Sequence, residues 1–177
     1  PSAASIASWL VPLRRAVPKA KVSVVLGVGH PEGRSDPFPQ AAQNREFAPM
    51  VAKALSQHGL DGVNLDWENG LSVVNATRVL SSVIAALSRE LDPIDRTVTL
   101  CVASGWLPYL DHLAWPAYEE AGVSRLMTMS TYPLTQPFSM SFEYNVLHMM
   151  LQTVRNKDLI GIGLWPKQGL GWTEPEL

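Results

Sequence analysis

Three polar side chains at alternate positions, Asn64, Asp66 and Glu68, interrupt an apolar run that reads LDGVNLDWE over residues 60–68. Val63, Leu65 and Trp67 stand between them. Successive side chains of a β-strand point to opposite faces, so this spacing puts three hydrogen-bonding groups on one face and the apolar groups on the other. Two of the three are acids. Desolvation and like-charge repulsion both raise a carboxyl pKa, and a raised pKa is what a general acid needs near neutral pH. A strand ending in such a pair therefore reads as a hydrolase site, with a solvated edge strand bearing an acidic face as the alternative.

The elements that must carry this strand follow from the rest of the chain. Its 177 residues are 46% hydrophobic and 17% charged, enough for one domain with a real core. A net charge of −2 without any basic run argues against nucleic acid as a partner. No stretch is apolar for long enough to span a bilayer. The single cysteine, Cys101, excludes an internal disulfide framework and a cysteine zinc cluster, and between Leu100 and Val102 it reads as a small buried strand residue. The four histidines, His30, His58, His112 and His148, lack metal-ligand spacing. No metal and no cofactor is expected. Gly27-Val28-Gly29 lacks the third glycine of a dinucleotide loop.

Helical and strand patterns alternate. Residues 5–17 predict a helix ended by Pro18, and 21–29 a β-branched strand closing on glycine. Gly33 and the prolines at 31, 37 and 39 predict a long loop over residues 30–40. Residues 44–58 have helical spacing, with Asn44 as N-cap and Gly59 just past the end. The strand at 62–67 follows, then a helix over 74–91 stopped by Pro93, a strand at 97–104, and a loop with helical turns over 108–121. A strand at 124–132, a helix at 141–155 and a strand at 159–165 complete the order. Strands this apolar are buried on both faces, as in a parallel sheet covered by helices. A doubly wound sheet of five strands is complete at this length, whereas an eight-stranded barrel needs ~250 residues. The pattern alone leaves both open.

The motif itself points further. LDGVNLDWE resembles the D-G-x-D-x-D-x-E signature that ends barrel strand four in the family-18 glycoside hydrolases, the chitinases and their relatives. Asp61, Gly62, Asp66 and Glu68 match it, Asp61 and Gly62 as its structural part, and Trp67 is the commonest residue before the glutamate. Asn64 replaces the middle aspartate, as in the lysosomal chitobiase branch. KVSVVLGVGH resembles strand three, keeping one glycine in register, and VTLCVASGW resembles strand five. STYP at 130–133 is similar to the M-T-Y-D of strand six, keeping Thr131 and Tyr132 but losing the methionine and the aspartate. LIGIGLWP resembles strand seven by order, and its GIGLW is also similar to strand eight of chitobiase-like members. The fold implied is an α/β (β/α)8 TIM barrel, partial in this chain, with about five βα units covering strands three to seven.

The resemblance implies cleavage of β-1,4-linked N-acetylglucosamine, in chitin or chitooligosaccharides, by substrate-assisted retaining catalysis. Glu68 would be acid and base, Asp66 would hold the substrate acetamido N–H, and Tyr132 would donate to the acetamido oxygen. Asn64 would bond Asp66 without taking its proton, so that Asp66 stays ionised more readily. Trp106 and Trp165, each at the C-terminal end of a strand, are candidate platforms for sugar faces, with core or rim packing as the alternative. A catalytically weak chitinase-like lectin is the second reading, favoured by Asn64 and Pro133. A barrel remnant serving as a structural subunit is the third, because the edges of an open barrel call for a protein partner or the missing chain to cover them. Residues 1–4 do not read as a secretory signal, and the chain reads as beginning inside a longer one. With the sequon Asn75-Ala76-Thr77, the expected compartment is extracellular or lysosomal.

Overall fold

The computed structural model describes residues 3–27, 37–67, 75–102, 112–129 and 140–162. Their five strands, β1 (Ser23–Gly27), β2 (Gly62–Asp66), β3 (Thr97–Val102), β4 (Arg125–Thr128) and β5 (Ile160–Ile162), form one sheet. Every neighbouring pair is parallel, and the spatial order is the chain order, β1-β2-β3-β4-β5. That order decides between the two architectures. A doubly wound sheet reverses direction at a switch point. Here every crossover steps to the next position in the same direction, the winding of a TIM barrel. Crossovers of one hand that never reverse place their helices on one face of the sheet and leave the other as the barrel interior.

Burial separates the two faces. Val63, Leu65, Val98, Leu100 and Leu126 point to the helices and are at most 1% exposed. Burying each of these contributes about 1.5–3 kcal/mol. Six helices are described: α1 (Ala3–Ala16), α2 (Pro37–Gln43), α3 (Phe47–His58), α4 (Ala76–Leu91), α5 (Trp115–Glu120) and α6 (Met140–Thr153). The core is densest under α4, whose Leu80, Val83, Ile84, Leu87 and Leu91 recur at helical spacing and are all buried. Ser88 lies on the same stripe and satisfies its hydroxyl on the Gly122 carbonyl at 2.7 Å. On the opposite face of the sheet the side chains are half-buried or exposed; Val25 of β1 is 58% exposed. No helix among the described residues is long and apolar enough to cross a membrane.

Several expectations need correction. The loop expected over residues 30–40 gives way to a helix at Pro37–Gln43. Two prolines do not prevent it, because both lie in its first turn, where a missing N–H costs nothing. The following helix starts at Phe47, not at residue 44. Asn44 Oδ1 accepts from Glu46 N at 3.0 Å, a side-chain turn two residues long, and Glu46 rather than Asn44 holds the N-cap position. Gly59 does close the helix, in the left-handed conformation at φ 64°. Pro12 lies inside α1, which ends at Ala16. Cys101 is half-buried and faces the barrel interior, while its neighbours Leu100 and Val102 are buried toward the helices.

Candidate active site

β2 runs from an end that ties elements together to the end that carries the candidate residues. Asp61, immediately before it, accepts two hydrogen bonds at Oδ2: from Val22 N at 2.8 Å and from the Arg14 guanidinium at 2.9 Å. Arg14 also donates to the Gly59 carbonyl at 2.6 Å. Through this one carboxylate, α1, the entry to β1 and the turn before β2 are tied together. Gly62 follows because β3 comes too close for a side chain. A Cβ there would lie 2.4 Å from both the Thr97 carbonyl oxygen and Thr97 Oγ1. Both residues sit at the N-terminal edge of the sheet, away from the edge where TIM-barrel chemistry is placed.

At the other end, Asn64 and Asp66 share the interior face, as the alternation requires. Asp66 is half-buried and pairs in register with Gly27 of β1. A Cβ at Gly27 would lie 3.3 Å from the Asp66 carbonyl oxygen and 3.4 Å from Asp66 Cβ, so glycine leaves room beside the acid. Asn64 turns toward β3: its Nδ2 donates to Thr99 Oγ1 at 2.8 Å and its Oδ1 accepts from Cys101 Sγ at 3.0 Å. Thr99 Oγ1 in turn donates to the Val63 carbonyl at 3.2 Å. The amide of Asn64 is thus engaged by the neighbouring strand, a partner that the sequence pattern did not supply.

Trp67 falls on the opposite face and stacks on Phe38 of α2, with ring centroids 5.0 Å apart and planes 17° from parallel. Phe38 is only 5% exposed. The short helix that sequence reading missed therefore packs against the residue between Asp66 and Glu68. Alternating hydrophobics around the motif were a signal for that face; nothing in the prolines of α2 pointed to Phe38.

Glu68, Trp106, Tyr132 and Trp165 lie outside the described residues, as do His30 and Pro133. In the chain they follow β2, β3, β4, β5, β1 and β4 respectively, and the C-terminal ends of these parallel strands form one edge. The described residues contain no group of three or more His, Cys, Asp or Glu able to hold a metal ion. Asn75 of the sequon is exposed, at a left-handed φ of 63° before α4.

A one-way parallel winding with Asn64 and Asp66 on the interior face, toward the C-terminal end of a strand, is the fold of a TIM-barrel domain. Solved structures bear this out. The spore cortex-lytic enzyme SleL of Bacillus megaterium matches 92% of this chain at a TM-score of 0.68 and 11% identity. The C-terminal domain of a protein assigned as a chitinase in Desulfitobacterium hafniense matches 88% at 0.64 and 18% identity. A family-18 chitinase of Pseudoalteromonas aurantia matches 83% at 0.59 and 16% identity. The match spans 42%, 48% and 58% of those chains respectively, about half the length of each. No protein-family model matches the sequence, and no curated protein matches it.

Proposed function

We propose that this protein is a glycoside hydrolase that cleaves β-1,4-linked N-acetylglucosamine by substrate-assisted retaining catalysis. The observation that carries the reading is Asp66 on the interior face at the C-terminal end of β2, with Glu68 two residues on in the sequence. Glu68 protonates the glycosidic oxygen. The carbonyl oxygen of the substrate's 2-acetamido group attacks the anomeric carbon as that bond breaks, giving an oxazolinium ion. Asp66 accepts a hydrogen bond from the acetamido N–H and offsets the positive charge, and Tyr132 donates to the acetamido oxygen. Glu68, now a carboxylate, takes a proton from the water that opens the ring, and configuration is retained. Trp106 and Trp165 supply flat apolar surfaces to neighbouring sugars.

The test is release of fluorophore from an N,N′-diacetylchitobioside by the purified protein between pH 4 and 8, beside Glu68→Gln. Loss of an essential general acid lowers the rate by about 10²–10⁴. Turnover that survives Glu68→Gln overturns the assignment. A chitinase-like lectin is the second reading, favoured by Pro133 where the resemblance expects an acid. Chitooligosaccharide binding by a folded protein without turnover selects it.

A further inference from the structure

The Asn64 amide is held by a hydrogen-bond chain whose direction is fixed at Thr99. Thr99 has one hydroxyl hydrogen, and it lies on the Val63 carbonyl oxygen at 3.2 Å. Toward Asn64, Thr99 Oγ1 therefore presents a lone pair, which only an N–H can meet, and Nδ2 stands there at 2.8 Å. Oδ1 then faces the other way and takes the Cys101 thiol hydrogen at 3.0 Å. Swapping the amide ends would set the Asn64 oxygen against the Thr99 lone pair. The same face repeats the device one pair lower, where Thr97 Oγ1 donates to the Asp61 carbonyl at 3.5 Å.

We infer that Thr99 and Cys101 are positioning residues of the candidate site, which hold the Asn64 amide against β3 and so keep the ionisation of Asp66 independent of residue 64. The inference rests on reading Asp66 as the ionised partner of Glu68. Side chains two apart on one strand face are neighbours, and a free asparagine there would offer its N–H to the carboxylate. An acid pair that shares a proton between positions 64 and 66 needs the opposite geometry, with residue 64 turned along the strand. Here the tethers run across it. Among the described residues, Gly27 of β1 pairs with Asp66, and Cys101 of β3, whose thiol meets Asn64 Oδ1, pairs with Met127 of β4. Glu68 follows on the same chain. Of these, only Cys101 and Glu68 titrate besides Asp66 itself.

The test is a carbon-13 NMR titration of the Asp66 carboxyl, assigned by its loss in Asp66→Asn, in wild type, Thr99→Val, Thr99→Ser and Cys101→Ala. Thr99→Val removes the acceptor and frees Nδ2 to donate to Asp66, so the midpoint falls by about half to one pH unit. Thr99→Ser, which keeps the hydroxyl, titrates as wild type, and Cys101→Ala shifts in the direction of Thr99→Val. An Asp66 midpoint unmoved by Thr99→Val, or moved equally by Thr99→Ser, overturns the inference. If Thr99→Val does not fold, Cys101→Ala decides by the same titration. Turnover of the diacetylchitobioside on the same samples keeps the two proposals apart. No turnover in wild type removes the glycosidase and leaves the tether to be judged by NMR, while turnover with an unmoved Asp66 removes the tether alone.

Discussion

Replacing Asp61 should damage stability and leave turnover per folded molecule intact, although Asp61 belongs to the same motif as Asp66. Its carboxylate accepts the Val22 N–H at 2.8 Å and the Arg14 guanidinium at 2.9 Å, with the aspartate side chain 14% exposed and the arginine 41%. Asp61→Ala strands the part-buried Val22 N–H, a loss of about 1–3 kcal/mol. The ion pair adds little, since one partner is well solvated and such pairs contribute ~0.2–1 kcal/mol. The expected total is about 2 kcal/mol, a large part of the ~5–15 kcal/mol that holds a typical domain folded. In melting temperature this is a fall of roughly 4–8 °C for a chain of this size. Asp61→Asn keeps an oxygen for Val22 and loses only the charge, so it costs under about 1 kcal/mol, and Arg14→Ala, which also gives up the bond to the Gly59 carbonyl, costs at least as much. Urea unfolding of the three variants, read as midpoints at constant slope, gives the order directly. Equal losses for Asp61→Ala and Asp61→Asn would refute the assignment of the effect to the Val22 hydrogen bond.

Other outcomes follow from the same packing. Gly62→Ala drives a methyl to 2.4 Å from a backbone carbonyl that has no rotamer to escape into, and should lower stability by about 1–3 kcal/mol in chemical denaturation. Phe38→Ala removes a buried ring from Trp67 and should cost about 3–5 kcal/mol, whereas Phe38→Leu keeps most of the volume and costs less; thermal melts followed by near-UV circular dichroism separate them. Ser88→Ala leaves the Gly122 carbonyl without the hydroxyl that donates to it at 2.7 Å, and should cost about 1 kcal/mol by urea titration.

The strands and the long helices were legible because their burial is periodic. Val63 and Leu65 against Asn64 and Asp66, and Leu80, Val83, Ile84, Leu87 and Leu91 along α4, write their faces into the chain. The winding was not legible in the alternation of apolar strands and helices, which both architectures share, but it was legible in the LDGVNLDWE motif, whose resemblance implied the barrel that the strand order shows. Local chemistry misled twice. Pro37 and Pro39 read as loop although the first turn of a helix accepts both, and Asn44 bonds two residues ahead in a turn, a use of its side chain that competes with capping. At the site, the spacing gave the shared face of Asn64 and Asp66 but not the partners on β3. Thr99 and Cys101 lie 35 and 37 residues from Asn64, and no local pattern announces a contact set by sheet register.

The one-way strand order also bears on how the chain is made. Among the described residues each strand after β1 pairs with the strand before it in the chain, so none of β2 to β5 has to wait for a segment synthesised later. During translation, at ~5–20 residues per second, each new helix and strand can dock on the unit already present. The growing margin of the sheet then always belongs to the newest strand, and the time during which its backbone groups stay unpaired is the time taken to synthesise one more βα unit. A slowed ribosome between two units would lengthen that exposure, and the hazard of edge-to-edge association would follow the pace of translation.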